Sequence, residues 1–140
     1  MTAQAPDYIR LAGRDLPLYS EPLEQFFELT GTKFGFVAPS TALWRGYIAT
    51  WEIVDNRLYL VKLESHLPDD QTGSLGDLFP GFPNRVFAHW YHGDLCIPQG
   101  REVGYIHAGF GTIHESTLCF SVRGGVITGR RLEQQSPEGA

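Results

Sequence analysis

The sequence predicts an α+β domain that is mainly antiparallel β, a strongly bent sheet or small barrel with one or two short helices. Three observations lead there. Apolar segments of strand length recur from Leu43 onward, separated by the turn-forming pairs Asp55-Asn56, Gly93-Asp94 and Gly124-Gly125. Helical periodicity with clear start and stop signals occurs only near the N-terminus. The chain of 140 residues, 42% hydrophobic and 19% charged, is large enough for one compact core, too small for a second sizeable domain, and unlike a disordered chain in composition. That domain is expected over residues 7–132, with 1–6 and 133–140 as flexible termini because both ends are polar and rich in breakers.

In chain order, the helix comes first. Ser20-Glu21-Pro22 supplies a cap and an early proline, Leu23, Phe26 and Phe27 recur at helical spacing, and Gly31 is placed to stop it. The segment from Leu43 to Leu63 reads as a hairpin. With Val54-Asp55-Asn56 as a three-residue loop and Asn56 left-handed, Tyr47, Ala49, Trp51 and Ile53 face Leu63, Val61, Tyr59 and Arg57 on one nearly continuous apolar side. A two-residue Asp55-Asn56 loop would instead pair Trp51 with Leu60 and set Lys62 beside Ala49, so the longer loop is preferred. Pro68 to Gly73 reads as an exposed loop, and a helical turn from Ser74 carries Leu75, Leu78 and Phe79 up to Pro80.

A second hairpin is expected from Phe87 to His92, turning at Gly93-Asp94 and returning through Leu95-Cys96-Ile97 to a strand-ending Pro98. Ala88, Trp90, Leu95 and Ile97 then share one face, and Phe87, His89, Tyr91 and Cys96 the other. A strand from Val103 to His107 leads into a bend at Gly109-Phe110-Gly111. The last hairpin turns at Gly124-Gly125, with Leu118, Phe120, Val122 and Ile127 inward and Ser121, Arg123, Thr128 and Arg130 outward. Cys96 and Cys119 match no C-x-x-C or zinc spacing and read as buried free thiols, with a disulfide as the lesser alternative.

The net charge of −5 and pI near 5.4 speak against nucleic acid or anionic lipid as the main partner. The N-terminus lacks the basic and apolar regions of a secretory signal, and no apolar run approaches the ~20 residues of a membrane helix, so a soluble cytoplasmic protein is expected. Neutral imidazole is a common metal ligand, and the five histidines raise that possibility. Yet His89 and His92 would point to opposite faces of a strand, and no H-E-x-x-H or comparable motif occurs. Glu52 reads as a solvated or salt-bridged carboxylate. Dinucleotide loop, P-loop, EF-hand, nucleophile elbow and catalytic-cysteine signatures are absent. Among the large amphipathic rings, Trp51 and Tyr59 read as core, whereas Trp44, Trp90 and Tyr91 have polar neighbours and read equally well as a binding surface.

The segments Trp44 to Ile53, Phe87-Ala88-His89-Trp90-Tyr91-x-Gly93-x-Leu95-x-Ile97-Pro98-x-Gly100, and Tyr105-Ile106-His107-x-Gly109-x-Gly111 carry a resemblance. They resemble small bacterial single-domain proteins of the kind encoded beside secreted toxins as immunity partners. The resemblance covers about residues 41–132, implies a bacterial binding protein, and transfers no catalytic residue.

Two functional expectations follow. The first is a non-enzymatic protein-binding module, in its most concrete form toxin-neutralising or regulatory, that steers a basic partner by acidic charge and contacts it through Trp44, Arg45, His89, Trp90, Tyr91 and His107. An exposed apolar sheet face could alternatively serve a homodimer. The second is a small-ligand or acid–base site inside the bent sheet, formed by Arg45, His89, Tyr91, His107 and Glu115. In that reading His89, His107 and Glu115 are catalytic, or His89, His107 and His114 hold a metal. No cofactor is called for.

Overall fold

The computed structural model describes residues 3–31, 35–82, 84–105 and 112–134, with backbone alone at 100–105, 112–115 and 134. Nine strands among these form one bent, mixed sheet that is not closed. Its main path runs β2 (Arg14–Leu18), β1 (Asp7–Leu11), β3 (Tyr47–Val54), β4 (Arg57–Leu67), β9 (Val126–Gln134), β8 (Thr112–Arg123), β7 (Gly93–Tyr105). The short strands β5 (Gln71–Gly73) and β6 (Val86–Phe87) pair with β4 off this path. Two helices, α1 (Pro22–Thr30) and α2 (Leu75–Leu78), complete the architecture, so the expected α+β bent sheet is what the chain adopts. No helix among the described residues is long and apolar enough to cross a membrane.

The helices form where the sequence places them. Pro22 sits in the first turn of α1, and Gly31 ends it with a left-handed φ of 67°, donating its N–H to Phe27. Ser20 does not cap this helix. Its hydroxyl donates to the Asp94 carbonyl and accepts from the Cys96 N–H, tying the chain ahead of α1 to β7. In α2, the Asp77 carboxylate accepts from both the N–H and the hydroxyl of Ser74, which holds its pKa below the usual value.

The β3–β4 hairpin corrects the expected register. Its loop has two residues, Asp55 and Asn56, with φ of 51° and 62°, the left-handed pair that a tight hairpin turn requires. Trp51 pairs with Leu60, the alignment the longer loop was meant to avoid. A β-bulge then shifts the register so that Ala49 faces Leu63 rather than Lys62. The extra residue turns Lys62 outward and returns Leu63 to the buried side occupied by Leu58 and Leu60.

Two further expectations are corrected. The 87–97 hairpin does not form: Val86 and Phe87 pair with Leu60 and Tyr59 of β4, residues 88–92 turn, and β7 pairs with β8. Gln71–Gly73 pairs with β4 rather than lying in an open loop. At the ends, Ala5 donates its N–H to the Ala42 carbonyl and β9 runs to Gln134. Strands β1 and β2 are joined by a turn at Ala12-Gly13, and β1 makes the one parallel pairing among the described strands, with β3.

Pro98 lies within β7 rather than ending it. The backbone N–H and C=O of Cys96, two residues earlier, point away from β8 toward Ser20 and Tyr19, so the Pro98 nitrogen points to that same side and disturbs no bond to β8. The last hairpin turns at Gly124-Gly125 as expected, with Val122 buried and Leu118, Phe120 and Ile127 packed on the core, but a register shift between Ser121 and Val122 pairs Arg130 with Phe120 rather than placing it on the opposite side. α1 covers the inner face, where Phe26 meets Trp90 and Phe27 meets Tyr47 edge-on.

Candidate functional site

The buried polar groups come first, because the sheet interior holds a charge. Asp7 is fully buried on the inward side of β1. Its carboxylate accepts from the Arg45 guanidinium (2.7 Å), the Ala49 N–H (3.1 Å) and the Trp51 indole N–H (3.1 Å). Burial raises its pKa above the ordinary carboxylate value, and the Arg45 charge and these donors oppose the rise. Arg45 also donates to the Ala5 carbonyl and lies 3.8 Å from Glu21, whose pKa is likewise raised by burial. The Tyr47 hydroxyl donates to Glu24 and is held far above its ordinary pKa, chiefly by burial. This network fastens β1, β3 and α1 together, with the buried Arg45 Nε left without a hydrogen bond. Arg45, expected at a binding surface, is therefore an interior ion-pair partner.

Among the described residues, the others named from sequence do not converge. Trp90 and Tyr91 are 5% and 8% exposed. The Trp90 indole donates to the Pro22 carbonyl and packs edge-on against Phe26 and Trp51, while the Tyr91 hydroxyl donates to the Asp94 carbonyl. Both are core anchors rather than a contact face. Trp44 is 58% exposed, and His89 is exposed with its ring against Phe87 and Trp90. His107 lies outside the described residues, and the side chains of His114 and Glu115 are likewise undescribed. Of the pocket expected from Arg45, His89, Tyr91, His107 and Glu115, the described members Arg45 and Tyr91 sit in separate hydrogen-bonding systems. No group of three or more metal-ligating side chains occurs among the described residues. A groove of about 660 Å³ does open between β4, β5 and α2, lined by Ser65, His66, Thr72 and Asp77, but none of Trp44, Arg45, His89, Trp90 and Tyr91 lines it.

What the fold does assemble is an exposed face of aromatic rings and arginines. Paired residues of neighbouring strands project to the same side of a sheet. The pairings Asp15–Arg10, Arg10–Glu52, Glu52–Tyr59 and Tyr59–Phe87 thus build one outward row across β2, β1, β3, β4 and β6. At its end, Tyr59 and Phe87 are half-buried, with ring centroids 5.6 Å apart. Arg85 stacks 4.3 Å from the Tyr59 centroid, and Arg57 lies 5.9 Å from that of Phe87. A second row, Arg57–Val126–Arg123, crosses β4, β9 and β8 and exposes 40% of Val126.

Unpaired positive charge is concentrated on this face, although Arg14 and Arg130 elsewhere are also exposed and make no ion pair among the described residues. The described ion pairs occupy Arg10, Arg45, Lys62 and Arg131. Among the described residues Arg57, Arg85 and Arg123 make no ion pair, and all three are exposed. Three free cations therefore gather on one face of a chain whose net charge is −5. The groove beyond Arg123, about 540 Å³ and lined by His92, Asp94, Ser121 and Thr128, extends the face. The sequence reading missed this site because Tyr59 read as core and Phe87 as one side of a hairpin that does not form. The detectable signal is Arg57-x-Tyr59 and Arg85-x-Phe87, each pairing an arginine and a ring on the same side of a strand.

No protein-family model, curated protein or solved structure gives a significant match to the chain.

Proposed function

We propose that the protein is a non-enzymatic protein-binding module whose contact surface is the Arg57, Tyr59, Arg85, Phe87, Arg123 and Val126 face. The observation that carries this reading is the gathering of three exposed arginines, free of ion pairs among the described residues, around a half-buried aromatic pair and the exposed Val126. Rings flanked by arginine are the side chains that carry most energy in protein interfaces. Arginine stacked on a ring keeps its donors free for bidentate contact with carboxylate.

The charge of the face selects an acidic segment, although the net charge of the chain alone points to a basic partner. A protein is favoured over nucleic acid because Val126, 40% exposed beside the arginines, offers an apolar contact that a side chain fills and a phosphate backbone does not. The immunity-type role implied by the resemblance is the most specific version of this reading, and it requires a toxin that presents an acidic surface.

The test is an amide-resolved NMR titration of the protein with three probes: a peptide of interspersed glutamate and tyrosine, its lysine counterpart, and a single-stranded oligonucleotide. The acidic peptide should shift signals of residues 57–59, 85–87 and 123–126, and the shifts should weaken with salt. Preferential binding of the lysine peptide or the oligonucleotide at this face would overturn the reading.

A further inference from the structure

We propose that Cys96 and Cys119 form a thiol–disulfide site, a dithiol that a low-molecular-weight disulfide converts to an intramolecular bridge between β7 and β8. The two are direct partners in the strand register, and both are free thiols in this structure. Their sulfurs lie 2.9 Å apart, within about 1 Å of the ~2.05 Å of a disulfide bond. The backbone favours closure as well. The Cys96 N–H donates to the Ser20 hydroxyl and its carbonyl accepts from the Tyr19 N–H, so neither group bonds to β8. Cys96 and Cys119 therefore occupy a non-hydrogen-bonded position of the antiparallel pair, where the Cα atoms approach to about 4.5 Å, inside the range a disulfide spans.

The surroundings give the two thiols different roles. Cys119 is 1% exposed, and burial, helped by its hydrogen bond with Cys96, pushes its thiol up to about 12. Cys96 is only half-buried and is the thiol that reagents reach. Of the charges beside Cys119, Glu133 disfavours its thiolate and Arg131, its register partner, favours it by the smaller effect. In the first step the Cys96 thiolate attacks one sulfur of the small disulfide, whose S–S bond breaks, and the departing half takes up a proton as a thiol. In the second step Cys119 attacks the Cys96 sulfur and loses its proton. The mixed disulfide breaks and the second half leaves as a thiol. Two protein thiols are oxidised and one small disulfide is reduced to two thiols.

The bridge would fasten the strand pair that ends the sheet, beside the contact where the chain leaving β2 meets β7. Its ends lie 23 residues apart in sequence, a loop length at which cross-linking restricts the unfolded chain substantially. The experiment treats the pre-reduced full chain with oxidised glutathione, then counts thiols, measures intact mass and maps peptides without reduction. Loss of both thiols, no retained glutathione, a linked Cys96–Cys119 peptide and a Tm about 10 °C higher, reversed by dithiothreitol, are expected. Cys119→Ser should stall with one glutathione on Cys96. Two surviving thiols, a lasting adduct on the unmodified sequence, or bridges only between chains would overturn the proposal. A Cys119→Ser chain that takes up no glutathione would overturn the assignment of Cys96 as the entering thiol.

Discussion

Replacing Trp90 by alanine distinguishes a core anchor from a contact residue. Trp90 is 5% exposed, sits 4.9 Å from Phe26 and 6.4 Å from Trp51 by ring centroid, and donates its indole N–H to the Pro22 carbonyl at 2.9 Å. Truncating a buried aromatic ring of this size costs about 3–5 kcal/mol, including the cavity left behind. The Pro22 carbonyl also loses its indole donor, which places the loss in the upper part of that range. In a domain of this length about 4 kcal/mol lowers Tm by roughly 12–16 °C. Phe87→Ala is the comparison, because this half-buried outward ring should cost only about 1–2 kcal/mol. Thermal unfolding followed by circular dichroism reads both variants. A Trp90→Ala Tm within 3 °C of the parent, or a fall no larger than that of Phe87→Ala, would refute the placement of Trp90 in the core.

Two other perturbations bear on the scaffold. Gly125 has a φ of +78°, and a β-carbon there would lie 2.6 Å from the Ala88 carbonyl oxygen and 2.8 Å from the Phe87 ring, so Gly125→Ala should cost about 2–3 kcal/mol in chemical denaturation. Gly129→Ala, with open space around it, should change stability by less than about 0.5 kcal/mol. The buried carboxyls predict a pH slope. Asp7 and Glu21 have raised pKa values in the folded chain, so their contribution is full below the unfolded values of 3.8 and 4.5 and is lost as pH rises through the folded ones. Glu21→Gln should therefore flatten the fall in Tm as pH rises above 4.5, and an unchanged slope would remove Glu21 from the account. Asp77 and Asp94, whose pKa values are lowered, act with the opposite sign and only as pH falls below 3.8.

Local patterns were legible in the sequence where one neighbouring turn decides them. Gly31 ends α1 and Gly124-Gly125 turns the last hairpin because few residues other than glycine accept those left-handed conformations without strain. The inward set of Leu118, Phe120, Val122 and Ile127 followed from the register of that turn. The β3–β4 register was not legible, because one bulge residue reverses which side of β4 faces inward and leaves no compositional mark. The expected 87–97 hairpin failed for a tertiary reason. The Tyr91 carbonyl accepts from Gly125 N–H, and the Ala88 N–H donates to the Leu58 carbonyl, so distant turns and strands satisfy backbone groups that a local ladder would have used.

That single mispairing hid much of the site. With Phe87 assigned to a false hairpin, its stacking with Tyr59 could not be foreseen, and with Cys96 paired inside the same hairpin its position opposite Cys119 was lost. Asp7 was discoverable. It shares the inward side of β1 with Ile9, and a carboxylate on that side calls for a buried partner such as Arg45. The histidines pointed nowhere in particular because a metal site depends on long-range convergence that spacing within strands does not encode.

The most direct measurement is quantitative affinity capture from cells that express the protein, comparing the parent with an Arg57→Glu/Arg85→Glu double variant whose Tm matches the parent. At least one captured protein should fall about tenfold or more with the double variant and fall again as salt is raised, and that protein should bind the purified parent through an acidic segment. Equal recovery of every captured protein by parent and variant would contradict the assignment of function to this face.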